Sequence, residues 1–87
     1  ESANLYKNLG ILYLISPISN LFKAEEYLKL AMDIREKKFG IYHTETAKSY
    51  SHMGSLMKKL KKFNEAEQYF QKSLNILLNN LKKSNVH

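Results

Sequence analysis

The chain has no cysteine, no tryptophan, a single proline and only three glycines among its 87 residues. Without cysteine there is no disulfide, no thiol nucleophile and no zinc site built on thiolate, and the composition fits a reducing intracellular setting, taken here as cytoplasmic. With so little proline and glycine the chain is not a disordered linker. No apolar run approaches the roughly eighteen residues that a membrane-spanning helix needs. The chain opens on Glu1 rather than Met and shows no charged-then-apolar leader, so the expectation is a segment of a longer protein.

Acidic side chains are also scarce, eight against fourteen basic, for a net charge of +6. The imbalance is local. Residues 1–43 carry six basic and five acidic groups, residues 44–87 eight and three. A basic half suits an acidic partner, a nucleic acid or an anionic membrane, and equally a lysine-rich solvated face. A hydrophobic share of 44% is ordinary for a folded domain. A domain this small buries only about 60 to 65% of the surface its unfolded chain exposes, so its stability is expected to be marginal.

What the chain does have is a repeat. AEEYLKLAMDI, residues 24–34, returns forty-two residues later as AEQYFQKSLNI, residues 66–76. A repeat this short predicts stacked supersecondary units rather than a single globular fold. The spacing of Tyr6, Leu9 and Tyr13 predicts a first helix, which Pro17 should stop at Ser16, with Asn20 or Ser19 capping the next. A second helix over Leu21–Phe39 carries Tyr27, Leu28, Ala31 and Arg35 down one side, widened by Leu30 and Ile34, and Gly40 is placed to end it. A third, over 45–60, is capped by Thr44 or His43 and repeats the first: Ala47 answers Ala3, Tyr50 Tyr6, Met53 Leu9 and Gly54 Gly10. In the fourth, Asn64 and Glu67 form a capping-box-like start. Its inner stripe is Ala66, Phe70, Ser73, Leu74, Leu77 and Leu81, its end lies near Lys82, and residues 83–87 fray. The chain therefore divides into repeat one (1–42), repeat two (43–82) and a tail. Gly10 and Gly54 are forty-four residues apart and Ala24 and Ala66 forty-two, which puts two extra residues near 16–20. Glycine inside a helix costs about 1 kcal/mol relative to alanine, so its recurrence predicts that another helix crosses there too closely for a side chain, with Ala24 and Ala66 as matching contacts.

These residues resemble the tetratricopeptide repeat family. Tyr6-x2-Leu9-Gly10-x2-Tyr13 with Ala24-x3-Leu28, then Tyr50-x2-Met53-Gly54-x2-Met57 with Ala66-x3-Phe70, follow its pattern over nearly the whole chain. The forty-two-residue period, the AE-x-Y box and the Phe39-Gly40-x2-His43 link resemble the longer repeats of kinesin light chains, although Thr44 stands where those usually have proline. The resemblance implies an all-α fold of two tandem antiparallel helix hairpins, four helices starting a right-handed superhelix. Their first helices would line a groove for an extended peptide. On that reading Asn4, Lys7, Asn8, Ile11 and Ile15 face the groove from helix one, and Lys48, Ser51, His52, Ser55 and Lys59 from helix three. In similar proteins an asparagine at the Asn8 position holds the ligand backbone, its amide donating and accepting at once; Asn8 matches that pattern and His52 does not. The lysines would favour an acidic segment. A solvated polar face accounts for any one of these residues as well.

Catalysis finds no footing, and no cofactor is implied. His43, His52 and His87 share no metal-ligand spacing, and the chain has no nucleophile elbow, phosphate loop or paired acid site. Three functions follow: a peptide-binding interaction module, an RNA-binding module using the basic second half, or self-association. The last rests on the fourth helix, whose Leu74, Ile76, Leu77, Leu78 and Leu81 exceed what two hairpins can hide and predict a homodimer, a domain swap or fraying.

Overall fold

The computed structural model describes the backbone of residues 3–15 and 21–85 and the side chains of residues 3–12 and 21–82. It contains four helices, α1 (Ala3–Ile15), α2 (Leu21–Phe39), α3 (Thr44–Lys59) and α4 (Phe63–Asn85), and no strand among the described residues. The expected roles of Ser16, Pro17, Ser19 and Asn20, the two extra residues near them, and the side chains of Tyr13 and Ile15 lie outside what is described.

Each described boundary has a local cause. Gly40 ends α2 at φ +87°, its N–H donating to the Glu36 carbonyl at 2.9 Å, with Lys37 and Lys38 on the negative end of the helix dipole. His43, one of the two expected caps, opens α3: its Nδ1 accepts the Glu45 N–H at 3.0 Å, and its ring stacks on Phe39 at 4.4 Å between centroids. At the far end of α3, Lys61 takes the left-handed conformation at φ 63°. The N–H groups of Lys61 and Lys62 return to the carbonyls of Lys58 (3.0 Å) and Met57 (2.8 Å), a Schellman ending built without glycine.

Two boundary expectations need correction. The Lys62 carbonyl accepts the Ala66 N–H at 3.0 Å, so the chain passes from Lys61 straight into α4 and Asn64 already lies inside the first turn, where it cannot cap. At the other end α4 runs past Lys82 to Asn85, because nothing in Leu-Lys-Lys-Ser-Asn breaks a helix as Gly40 does. The helix thus takes in residues 83–85, and residues 86–87 lie outside the description.

The helices pack in chain order, α1 on α2, α2 on α3 and α3 on α4, with α1 and α3 also touching. Arg35, near the end of α2, meets Asn4 and Glu45, near the starts of α1 and α3, so α2 runs antiparallel to both. The core consists of Ala24, Leu28 and Met32 from α2, Ala47, Tyr50, Met53, Leu56 and Met57 from α3, and Ala66 and Ile76 from α4. The repeat shows in its aromatic pairs: Tyr6 stacks on Tyr27 at 6.1 Å, and Tyr50 lies against Tyr69 at 6.3 Å. Both close approaches are present, though the neighbour is the residue four beyond each alanine. A Cβ on Gly10 would lie 2.6 Å from Leu28 Cγ, and one on Gly54 2.7 Å from Phe70 Cε1.

The faces of α2 and α4 are narrower than the sequence suggested. Leu30 is exposed, and Met32 takes its place in the core. On α4 the buried stripe is Ala66, Ser73 and Ile76, with Tyr69 partly covered, while Phe70, Leu74, Leu77 and Leu81 are exposed. The reason is geometric. Among the described residues only α3 packs on α4, and one neighbour covers one stripe, whereas the apolar positions of α4 span two.

Candidate functional site

The junction of α1, α2 and α3 is set by a buried arginine. Arg35 donates from Nη1 to Ser49 Oγ at 3.1 Å and from Nη2 to Asn4 Oδ1 at 2.7 Å, and its Nη2 lies 3.5 Å from Glu45 Oε1. One guanidinium on α2 thus ties together the starts of α1 and α3, using the planar fork that lysine lacks. Thr46 locks the turn beneath it, donating to the Gly40 carbonyl at 2.7 Å, with the Arg35 carbonyl at 3.4 Å. Glu45 Oε2 also accepts from Lys48 at 3.2 Å. That hydrogen bond, with the charges of Lys48, Arg35 and His43, holds the Glu45 carboxyl below its ordinary value against a smaller opposing effect of burial.

His52 lies in the middle of α3, half-buried. Its Nδ1 is fully buried and has no hydrogen-bond partner among the described residues. Burial, then the charges of Lys7 on α1, Arg35 on α2 and Lys48 on α3, hold the imidazole below 6.5, so it is neutral at pH 7. The charges of three cations from three helices therefore act on one ring, and Glu45 is the acid paired with two of them.

A second polar chain runs on the other side of α3. Tyr50 donates to Glu36 Oε2 at 2.5 Å, and burial followed by that bond pushes its hydroxyl well above the ordinary tyrosine range. Lys72 sits over the rings of Tyr50 and Tyr69 at 5.4 and 5.7 Å. Among the described residues no group of three His, Cys, Asp or Glu could hold a metal ion, and no helix is long and apolar enough to cross a membrane.

Residues 1–79 match the family model described as tetratricopeptide repeat. The chain belongs to the tetratricopeptide repeat family. No individual curated protein and no solved structure matches it. Tetratricopeptide repeats generally mediate protein–protein interaction and are generally non-catalytic scaffolds.

Within this tetratricopeptide repeat domain the expected site residues fall into two groups. The charges of Lys7 and Lys48 act on His52, Asn8 and Lys59 are exposed, Ser55 is half-buried, and Ile11 leans against the core. Asn4 and Ser51 already have protein partners. Asn4 accepts from Arg35, and Ser51 shares a 2.8 Å hydrogen bond with Ser73 on α4, which turns it toward the hairpin interior. The residue that sequence reasoning missed is Arg35, placed on a packing stripe with no role of its own. An arginine among Leu28, Ala31 and Met32 was a legible signal, since a buried charge needs partners and those had to come from a neighbouring helix.

Proposed function

We propose that this domain is a non-catalytic interaction module that takes an extended, carboxylate-bearing segment of a partner protein along the α1–α3 face. The observation that carries the reading is the half-buried His52 in the middle of α3, on which the charges of Lys7 from α1 and Lys48 from α3 both act. A peptide carboxylate would meet Lys7 and Lys48. The exposed amide of Asn8 can hold a peptide backbone, donating and accepting at once. Ile11, Ser55 and Lys59 would extend this face along the helices, with Asn4 and Ser51 at its margins. The forty-two-residue period and the AE-x-Y box support an arrangement of two repeats, 1–42 and 43–82, of the kinesin-light-chain kind. An RNA reading lacks a stacking platform, because the large exposed aromatics among the described residues (Phe22, Phe39, Tyr42, Phe63 and Phe70) lie off α1 and α3.

Calorimetric titration with a panel of acidic peptides and their neutralised counterparts tests this. The acidic members should bind, Asn8→Ala and His52→Ala should each weaken binding about tenfold, equivalent to about 1.4 kcal/mol, and Lys7→Ala and Lys48→Ala should lower affinity most at low salt. Acidic and neutral peptides binding alike, or all four variants binding like the parent chain, would remove the reading.

A further inference from the structure

The two ends of the domain carry the two halves of a junction that the chain already makes once in its interior. Helices α2 and α4 are equivalent in the forty-two-residue register, yet α2 is flanked by both α1 and α3 while α4 has only α3. The positions that separate them are sharp. Leu28, Met32 and Arg35 on α2 are 1, 8 and 2% exposed; their equivalents Phe70, Leu74 and Leu77 on α4 are 40, 49 and 40% exposed. Leu77 is thus uncovered at the position whose equivalent on α2, Arg35, meets Ser49 of α3, whereas Phe70 at Gly54, like Leu28 at Gly10, also lies against the helix that precedes it. A groove of about 400 Å³ runs along α4, lined in part by Phe63, Ala66, Phe70 and Leu74.

The opposite end has the matching half. Helices α1 and α3 are equivalent forty-four residues apart. Ser49 and Leu56, buried on α3 at 2 and 0%, correspond to Leu5 and Leu12 on α1, exposed at 51 and 59%. The face that α3 turns to α2 is thus present on α1, exposed and apolar.

We infer that copies of this chain stack head to tail, the α1 face of one copy seating on the α4 face of the next in the register that α3 uses on α2. The chemistry of the two junctions is complementary. Inside the chain, buried Arg35 donates to Ser49 at 3.1 Å. At the equivalent positions of the open ends stand Leu77 and Leu5, so both polar members have become apolar together and the contact between copies buries no cation in need of a partner. An α4-to-α4 dimer would leave Leu5 and Leu12 exposed; the head-to-tail arrangement covers both ends. Because the two surfaces differ, the contact is heterologous and does not close on itself, and assembly continues by addition of copies.

Sedimentation of the 87-residue chain against concentration tests the inference, with Leu12→Glu blocking the α1 face and Leu77→Glu the α4 face. The parent chain should show a mass that climbs past dimer with concentration, and each variant alone should remain a monomer of about 10.2 kDa. An equimolar mixture of the two should rise to twice that mass and stop, since each supplies the face the other lacks. The mixture also controls for folding, because a variant that had merely unfolded could not restore the contact. A parent chain that stays monomeric at millimolar concentration overturns the inference. So does a Leu12→Glu chain that dimerises by itself, or a mixture that stays monomeric.

Discussion

Gly10 and Gly54 occupy equivalent places, and they should respond differently to the same substitution. A methyl group on Gly10 meets Leu28 Cγ at 2.6 Å and the Leu28 backbone nitrogen at 3.2 Å, and Leu28 is buried with no room to move. One on Gly54 meets only the outer edge of the Phe70 ring, which is exposed and can swing away. Alanine also gains about 1 kcal/mol over glycine inside a helix. Gly54→Ala should therefore be close to neutral, and Gly10→Ala should destabilise by about 1 to 3 kcal/mol through overpacking. Urea melts of the two variants check this, and equal costs would contradict the assignment of neighbours. The close approach at both glycines could be read from the repeat. Which one is locked could not, because that depends on whether a further helix covers the residue opposite.

At the scale of the element, the relation between α1 and α3 passes through one side chain of α2. Arg35→Ala should cost on the order of 3 kcal/mol, since it opens a cavity and leaves Ser49 and Asn4 unpaired, with Glu45 part-solvated and so penalised less. Arg35→Leu, which installs the residue that repeat two has at this position, keeps the bulk and should cost about 1 to 2 kcal/mol for the two unmet hydrogen bonds. Denaturant midpoints separate the cases, and an Arg35→Leu chain as stable as the parent would remove Arg35 as the organiser of the groove. Helix α4 carries the matching lesson. Its apolar positions were legible as residues, yet Phe70, Leu74, Leu77 and Leu81 were assigned to the interior when α3 covers only Ala66, Ser73 and Ile76. Periodicity reports which positions can be buried, and the number of neighbouring helices decides which are.

For the whole molecule, charge and pH act with definite signs. The folded chain holds His52 below 6.5, so the unfolded chain takes up that proton first. Its contribution is complete above pH 6.5 and is lost as the pH falls below it. Glu45, whose folded value lies below 4.5, contributes above 4.5 and loses its contribution as the pH falls through the lower folded value. Both make the domain acid-labile, and His52→Gln should flatten the upper part of the profile, read as urea midpoints on either side of pH 6.5. Salt separates the two proposed contacts. Copies carrying +6 each repel one another, and screening on the scale of about 10 Å at 0.1 M should strengthen stacking while it weakens capture of an acidic peptide. Titrations of each in rising sodium chloride should move in opposite directions.

By itself the sequence determined the repeat, the four helices nearly to the residue, the family, and the two places where a neighbouring helix comes close to a glycine. Those are properties of spacing along one chain, and helical periodicity writes spacing directly into composition. The tertiary structure decided what each face meets. It turned Arg35 from a stripe residue into the pin of three helices, gave Asn4 and Ser51 partners within the protein, left the buried Nδ1 of His52 without a partner among the described residues, and left matching apolar faces at the two ends. The reason is physical: burial and pairing depend on which helix lies across from which, and periodicity along a single helix does not encode its neighbour.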